Sequence, residues 1–260
     1  MTILDELAAY AVERTRINKE KVSLSKIRAL AESLPSTEFA FENALKKDGM
    51  SFICECKKAS PSKGIIAEEF PYLEIAKAYE AAGADCISVL TEPKWFLGSD
   101  QYLKEITSSV SIPCIRKDFT VDEYMIYEAK TLGASAVLLI CSILPPEKVK
   151  EYLGICDSLG LSAIVETHNE KEVEDAVRAG ARVIGVNNRN LKDFSVDTNN
   201  SAKLRSLVPS DIVFVAESGI RTHEEVKQLQ SIGVDAVLVG ETLMRAEDKT
   251  KKLSELRGQG

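Results

Sequence analysis

From about residue 50 onward the chain carries short apolar runs, rich in β-branched residues, that recur every 20 to 35 positions, each followed by a stretch with helical spacing. Eight such runs stand out: Phe52–Lys57, Cys86–Leu90, Pro113–Lys117, Ala136–Ile140, Ala163–Glu166, Val183–Asn187, Val213–Glu217 and Ala236–Gly240. A strand with one wet face alternates apolar and polar residues. Most of these runs are apolar throughout, as strands covered on both faces are. Eight strand–helix units predict a (β/α)8 TIM barrel, an α/β fold that occupies about 250 residues. A doubly wound sheet is the alternative, and eight near-equal units argue against it.

The segments between the runs are punctuated as helices. Asn169 with Glu172, and Thr222 with Glu225, have capping-box spacing, and Pro145-Pro146 suits a first helical turn. Gly83, Gly133, Gly180 and Gly233 each stand shortly before the next run, where a helix end calls for a left-handed residue. Residues 1–48 fall outside the repeat. Ile3, Leu4, Leu7, Ala8, Ala11 and Val12 form one stripe at helical spacing, and Leu24, Ile27, Leu30 and Ala31 another. They predict an N-terminal extension of two amphipathic helices laid on a barrel of residues 49–260, the whole making one domain. Periodicity leaves open whether the extension only stabilises the barrel or also covers its active site.

Composition narrows the class of partner. An apolar share of 45% against 28% charged is that of a chain with a full core. The net charge of −7, with basic residues spread along the chain, leaves no footprint for nucleic acid or an anionic membrane. A small-molecule partner and a monomer are expected. The opening Met1-Thr2-Ile3-Leu4-Asp5-Glu6-Leu7 lacks the basic start and apolar core of a signal peptide, and no run approaches the ~18 apolar residues of a membrane span. Cys54, Cys56, Cys86, Cys114, Cys141 and Cys156 form no C-x-x-C pair and have no nearby His to complete a zinc site. Free thiols in a reducing cytoplasm are expected. With no G-x-G-x-x-G fingerprint either, neither metal nor cofactor is expected.

The chemistry shows where polar residues interrupt the strands, because the carboxyl ends of barrel strands face the catalytic mouth. Glu55 and Lys57 end the first run, Lys117 the third, Glu166 the fifth, Asn187 the sixth and Glu217 the seventh. A buried charge costs several kcal/mol unless paired, so charges repeated at equivalent ends point to acid/base work, with structural ion pairs as the plainer reading. Period-two geometry puts Glu55 and Lys57 on one face and Cys54 and Cys56 on the other, which removes the thiols from the mouth. Of the two histidines, His168 enters a capping segment, where a surface or loop role is expected, and His223 lies at a helix start. Glycines in Glu217-Ser218-Gly219-Ile220 and Val239-Gly240-Glu241-Thr242, after the seventh and eighth runs, mark the place where barrels bind phosphate through backbone amides. These residues fit an enzyme of phosphorylated small molecules. A Schiff-base aldolase using Lys117, a sugar-phosphate isomerase and a non-catalytic phosphate-binding barrel remain alternatives.

The run Glu55-Cys56-Lys57-Lys58-Ala59-Ser60-Pro61-Ser62-Lys63-Gly64 resembles the first-strand signature of the indole-3-glycerol phosphate synthase family. Arg116-Lys117-Asp118-Phe119, Ile164-Val165-Glu166, the stretch from Ile184 through Asn187 and Arg189 to Leu191, and Ala216-Glu217-Ser218-Gly219-Ile220 resemble its other motifs in order. Two departures are visible, Ala59 where many members are basic and Glu241-Thr242 where a Ser-rich pair is commoner. With no isomerase domain after Gly260, the resemblance is to the monofunctional form. It implies a carboxy-lyase of tryptophan biosynthesis that closes the indole ring of 1-(2-carboxyphenylamino)-1-deoxyribulose 5-phosphate. It further implies Glu55, Lys57, Lys117, Glu166, Asn187 and Glu217 as catalytic residues, with Lys117 as the acid. Ser60, Phe96, Phe119, Leu138, Ile140, Arg189 and Leu191 would contact substrate, and Ser218, Gly219, Gly240 and Glu241 the phosphate.

Overall fold

Strands buried on both faces must close on themselves or be capped at their edges, and here they close. The computed structural model describes residues 2–190 and 194–259. Its eight barrel strands are Ser51–Cys56, Cys86–Leu90, Cys114–Lys117, Ala136–Ile140, Ser162–Thr167, Val183–Asn187, Val213–Glu217 and Ala236–Val239. All pair in parallel with their chain neighbours, and the first pairs with the eighth in the register Ser51↔Ala236 to complete the barrel. Lys57 and Gly240, expected within strands, each stand one residue past theirs. An antiparallel hairpin of Ala59–Ser60 with Gly64–Ile65 folds over the mouth after the first strand.

The local signals act as their chemistry dictates. Thr222 and Glu225 form a complete capping box, whereas Asn169 receives the Glu172 N–H and the Glu172 carboxylate turns to the His168 N–H instead. Gly83, Gly133, Gly180 and Gly233 all take the left-handed conformation, which costs other residues roughly 1–2 kcal/mol. Alternation sorts the strand side chains into two cores. Cys54, Cys56, Val165 and Phe214 join the layer against the helices, while Ile53, Cys86, Ile115, Ile164 and Val215 fill the barrel.

The extension begins with helices α1 (Ile3–Lys21) and α2 (Leu24–Ser33). Helix α1 starts on a capping box between Thr2 and Asp5 and buries Leu4, Leu7, Ala11 and Thr15. The expected stripes were too broad: Val12 is 57% and Leu30 47% exposed, because each helix rests on the barrel along a narrow line. Arg14 of α1 donates to both oxygens of the fully buried Asp118 at 2.6 and 3.2 Å, and Lys19 pairs with Asp122 at 2.7 Å. No helix among the described residues is long and apolar enough to cross a membrane.

A third helix, α3 (Ala40–Leu45), is unexpected. It inserts Phe41 and Leu45 into the barrel's interior cluster beside Ile53, Cys86 and Ala136, so it stops the end opposite the mouth. Its Glu42 pairs with Arg182 at 3.0 Å and its backbone N–H at that residue donates to Ser162. Removing residues 1–48 would therefore open the core as well as strip two surface helices. Phe41→Ala should cost about 3–5 kcal/mol of stability through the cavity it leaves. A denaturation midpoint equivalent to a loss below ~1 kcal/mol would show that the helix only leans on the barrel.

Candidate active site

Strand geometry brings the interrupting polar residues together. Glu55 points into the mouth, and Lys57 stays on the same face, its Nζ 2.5 Å from Glu55 Oε1. Ser88 of the second strand donates to the other Glu55 oxygen at 3.3 Å. Across the mouth, Lys117 Nζ lies 3.1 Å from Glu166 Oε2 and 3.4 Å from Glu217 Oε2. The three glutamate side chains are at most 4% exposed, and the two lysines 17% and 15%.

So much charge in so little water sets the protonation states. Burial alone would drive the proton off Lys117, but the charges of Glu166, Glu217 and Glu55 outweigh it and hold the ammonium above its ordinary value. Burial likewise opposes ionisation of Glu166, and Lys117 and His168 reverse that, holding its carboxyl well below the usual range. Glu217 goes the other way. Burial pushes it up, Lys117 offsets part of this, and the neighbouring Glu166 and Glu55 add to it, so that it titrates at about 7. Its Oε1 is buried without a hydrogen-bond partner among the described residues, as suits a carboxyl that shares its site with two others.

These groups line a cavity of about 490 Å³. One wall is apolar: Phe96 and Phe119 lie with ring centroids 6.0 Å apart, and Leu138 and Ile140 project inward from the fourth strand. Leu191 lies outside the described residues. The loop holding Phe96 is pinned by the buried Glu92, whose carboxylate accepts from the N–H groups of Lys94, Trp95 and Phe96. Ile3, Leu4 and Leu7 of α1 close the cavity from above, so the extension does reach the mouth. Ser60 of the hairpin, Asn187 and Arg189 also line it; Asn187 Oδ1 accepts the Arg189 N–H, and the Arg189 guanidinium donates to Phe194 O.

The opposite end is built from the paired glycines. Ser218 and Gly219 have φ of 69° and 89°, both left-handed, and a side chain at Gly219 would strike Val196 and Thr198. Gly240 caps the short helix Glu241–Met244. A β-carbon at Gly240 would run into Glu55 and Lys57, so the glycine also makes room for that ion pair. The Glu241 carboxylate does not face an anion: Arg245 holds it at 3.0 Å and Lys63 at 3.7 Å, which leaves only its backbone for that task. Lys63, Arg221 and Arg245 line this end and were missed, since they sit on loops and turns where strand alternation says nothing. His168, expected in a surface or loop role, does lie in the loop after the fifth strand, but its side chain is only 16% exposed and stands between Glu166 and Glu172. His223, by contrast, is far from this cluster and faces the Leu256 carbonyl.

Fold and cavity together define a class: a (β/α)8 enzyme whose paired lysines and glutamates face an apolar wall on one side and a glycine-lined end with Lys63, Arg221 and Arg245 on the other. The family model for indole-3-glycerol phosphate synthase matches residues 4–256. An indole-3-glycerol phosphate synthase of Ruminiclostridium cellulolyticum is 58% identical over 257 residues, covering 98% of this chain and 99% of that one. Another from Endomicrobium trichonymphae is 51% identical over 258 residues, covering 98% and 99%. The chain belongs to the indole-3-glycerol phosphate synthase family. Among solved structures, KGPDC from Streptococcus mutans is similar with a TM-score of 0.64 at 10% identity, covering 82% of this chain and 97% of that one. Thiamine phosphate pyrophosphorylase from Pyrococcus furiosus has a TM-score of 0.61 at 19% identity, covering 84% and 96%. At such identities they share the fold alone.

The raised carboxyl of Glu217 has a measurable sign. Between its ordinary value of 4.5 and about 7, the folded chain keeps a proton that the unfolded chain has released. Its contribution to stability therefore falls as pH rises through that window. A carboxyl NMR titration of the unliganded protein should show one resonance titrating near 7 that is missing from Glu217→Gln. If every carboxyl titrated in the ordinary range, the electrostatic account of the cluster would be wrong.

Proposed function

We propose that the chain catalyses formation of indole-3-glycerol phosphate from 1-(2-carboxyphenylamino)-1-deoxyribulose 5-phosphate, a carboxy-lyase reaction of tryptophan biosynthesis, in the cavity just described. The observation that carries the assignment of roles is Lys117 Nζ held within ion-pair distance of both Glu166 and Glu217, in a cavity also walled by Phe96 and Phe119.

Closure forms a bond from the carboxylate-bearing ring carbon to the ketone carbon. Lys117 delivers a proton to the ketone oxygen, so no free alkoxide builds up. Glu166 stabilises the positive charge that closure places on the ring system. Carbon dioxide then leaves, and its bonding electrons restore aromaticity. In the last step the new hydroxyl departs as water with one proton while the adjacent methylene carbon loses another. Lys57 and Glu55, 2.5 Å apart, serve as the acid and base of that step. One proton is taken up overall, balancing the lost carboxylate.

Asn187, Arg189 and Glu217 orient the substrate, with Ser60, Leu138 and Ile140 completing the ring pocket. The amides of Ser218, Gly219, Gly240 and Glu241 hold the phosphate, aided by Arg245, Arg221 and Lys63. A Schiff-base role for Lys117 is disfavoured because the nucleophile there must be a neutral amine, and this one is held as the ammonium. The lining described comes from one chain, so a monomer suffices, and six free thiols fit a cytoplasmic setting.

Mixing the protein with the carboxyphenylamino-deoxyribulose phosphate should give indole fluorescence, and Lys117→Met should lower kcat by ~100-fold or more in protein that circular dichroism shows to be folded. Turnover within a few-fold of wild type would remove Lys117 from the acid role. Arg245→Ala should raise both KM and the inhibition constant for inorganic phosphate, with kcat little changed. Unaltered phosphate inhibition would place the anion elsewhere.

A further inference from the structure

Behind Glu166, on the side away from Lys117, sits His168. The two residues are on one face of the chain, as alternation places them, and His168 Nε2 lies 3.4 Å from Glu166 Oε1 while Lys117 holds Oε2. The other ring nitrogen, Nδ1, is 3.2 Å from both Glu172 Oε2 and Ser142 Oγ. Glu172 is itself fixed. It stands in the first turn of the helix Glu170–Ala179 and accepts from the His168 N–H, Ser142 Oγ and Asn169 Nδ2. Asn200 Nδ2 donates to the His168 carbonyl and ties down its backbone.

Nδ1 has hydrogen-bond partners in Glu172 and Ser142, whereas Nε2 is buried with no hydrogen-bond partner among the described residues and stands in ion-pair contact with Glu166 Oε1, so that only the doubly protonated ring presents a positive N–H to both carboxylates. Burial opposes that charge, yet Glu166 and Glu172 overcome it and raise the imidazolium value to about 10. The groups around the ring are Glu166 from the fifth strand, Glu172 from its helix and Ser142 from the loop after the fourth strand. On the open side, Asp5 of α1, Arg189 and Asp197 share the adjoining cavity. Past Glu166 come Lys117, Glu217 and Glu55.

We propose that His168 is a positioning residue for the ring closure: clamped between Glu172 and Glu166, it supplies the second cation on Glu166 and fixes that carboxylate toward Lys117. This rests on the role given to Glu166 above. Lys117 can then give up its proton without leaving Glu166 as an uncompensated buried anion. Without the imidazolium, Glu166 would have one cation for two oxygens and would take up a proton at higher pH.

The test compares His168→Leu, His168→Gln and Glu166→Gln with wild type in kcat, KM and the pH profile of kcat. His168→Leu should lower kcat roughly 10-fold with KM within twofold, and shift the acidic limb of kcat upward by about 1 pH unit or more. His168→Gln keeps a donor but no charge, so it should recover part of the rate and still show the shifted limb. An acidic limb that superimposes on wild type in both variants would overturn the proposal, even if melting temperature fell, because packing alone does not move a titration. Should the leucine variant fail to fold, the limb of the glutamine variant decides alone. If Glu166→Gln turned over near the wild-type rate, the role of Glu166 itself would fail. If it were inactive while both His168 variants kept the wild-type limb, only the inference about His168 would.

Discussion

The mouth of this barrel depends on keeping an ammonium ion charged where there is almost no water to solvate it. Moving a lysine out of water costs several kcal/mol, and the cost is met here by carboxylates that are themselves desolvated. Lys117 answers to Glu166 and Glu217, Lys57 to Glu55, and Glu166 has a second cation in His168. The set balances only as a whole. One carboxyl, Glu217, carries the surplus and titrates near neutrality.

The same strand end is also where the extension is anchored. Asp118 follows Lys117, accepts both arms of Arg14, and in addition accepts from Thr91 at 2.5 Å and from the Phe119 N–H. Arg116, pointing outward one residue before Lys117, is tied to Asp100 and Glu128. Four consecutive residues thus anchor the helix layer, carry the central cation, receive α1 and present an aromatic ring to the cavity. Docking of α1 and the placement of Lys117 and Phe119 are coupled through one carboxylate.

The barrel was legible because its strands are apolar at almost every position, and the cavity because charges at the ends of such strands must be paired or put to chemical use. What alternation and helical spacing do not address was lost. Helix α3 has six residues, too few for a period to show, and follows Phe39 in a left-handed conformation. Lys63, Arg221 and Arg245 reach the anion end from segments whose direction no strand dictates. The contact of the loop residue His168 with Glu166 was hidden for a different reason: the capping pattern at Asn169 masks the two-residue period that puts it on the face of Glu166. The rule that paired Glu55 with Lys57 would have found it. Val12 and Leu30 mark the converse error, since a helix touching a surface along a line buries less than its apolar letters offer.

The pairing of the first strand with the eighth has a consequence for how the chain is made. Ser51 and its neighbours leave the ribosome well before Ala236, their hydrogen-bonding partner. At about 5–20 residues per second the interval is on the order of 10–40 s. Throughout it the nascent chain presents an open strand edge, and Phe41 and Leu45 await the cavity they will fill. The eighth barrel strand both ends that exposure and brings Gly240 and Glu241 to the mouth. A product truncated before that strand would therefore lack both the closed barrel and the Gly240 side of the cavity.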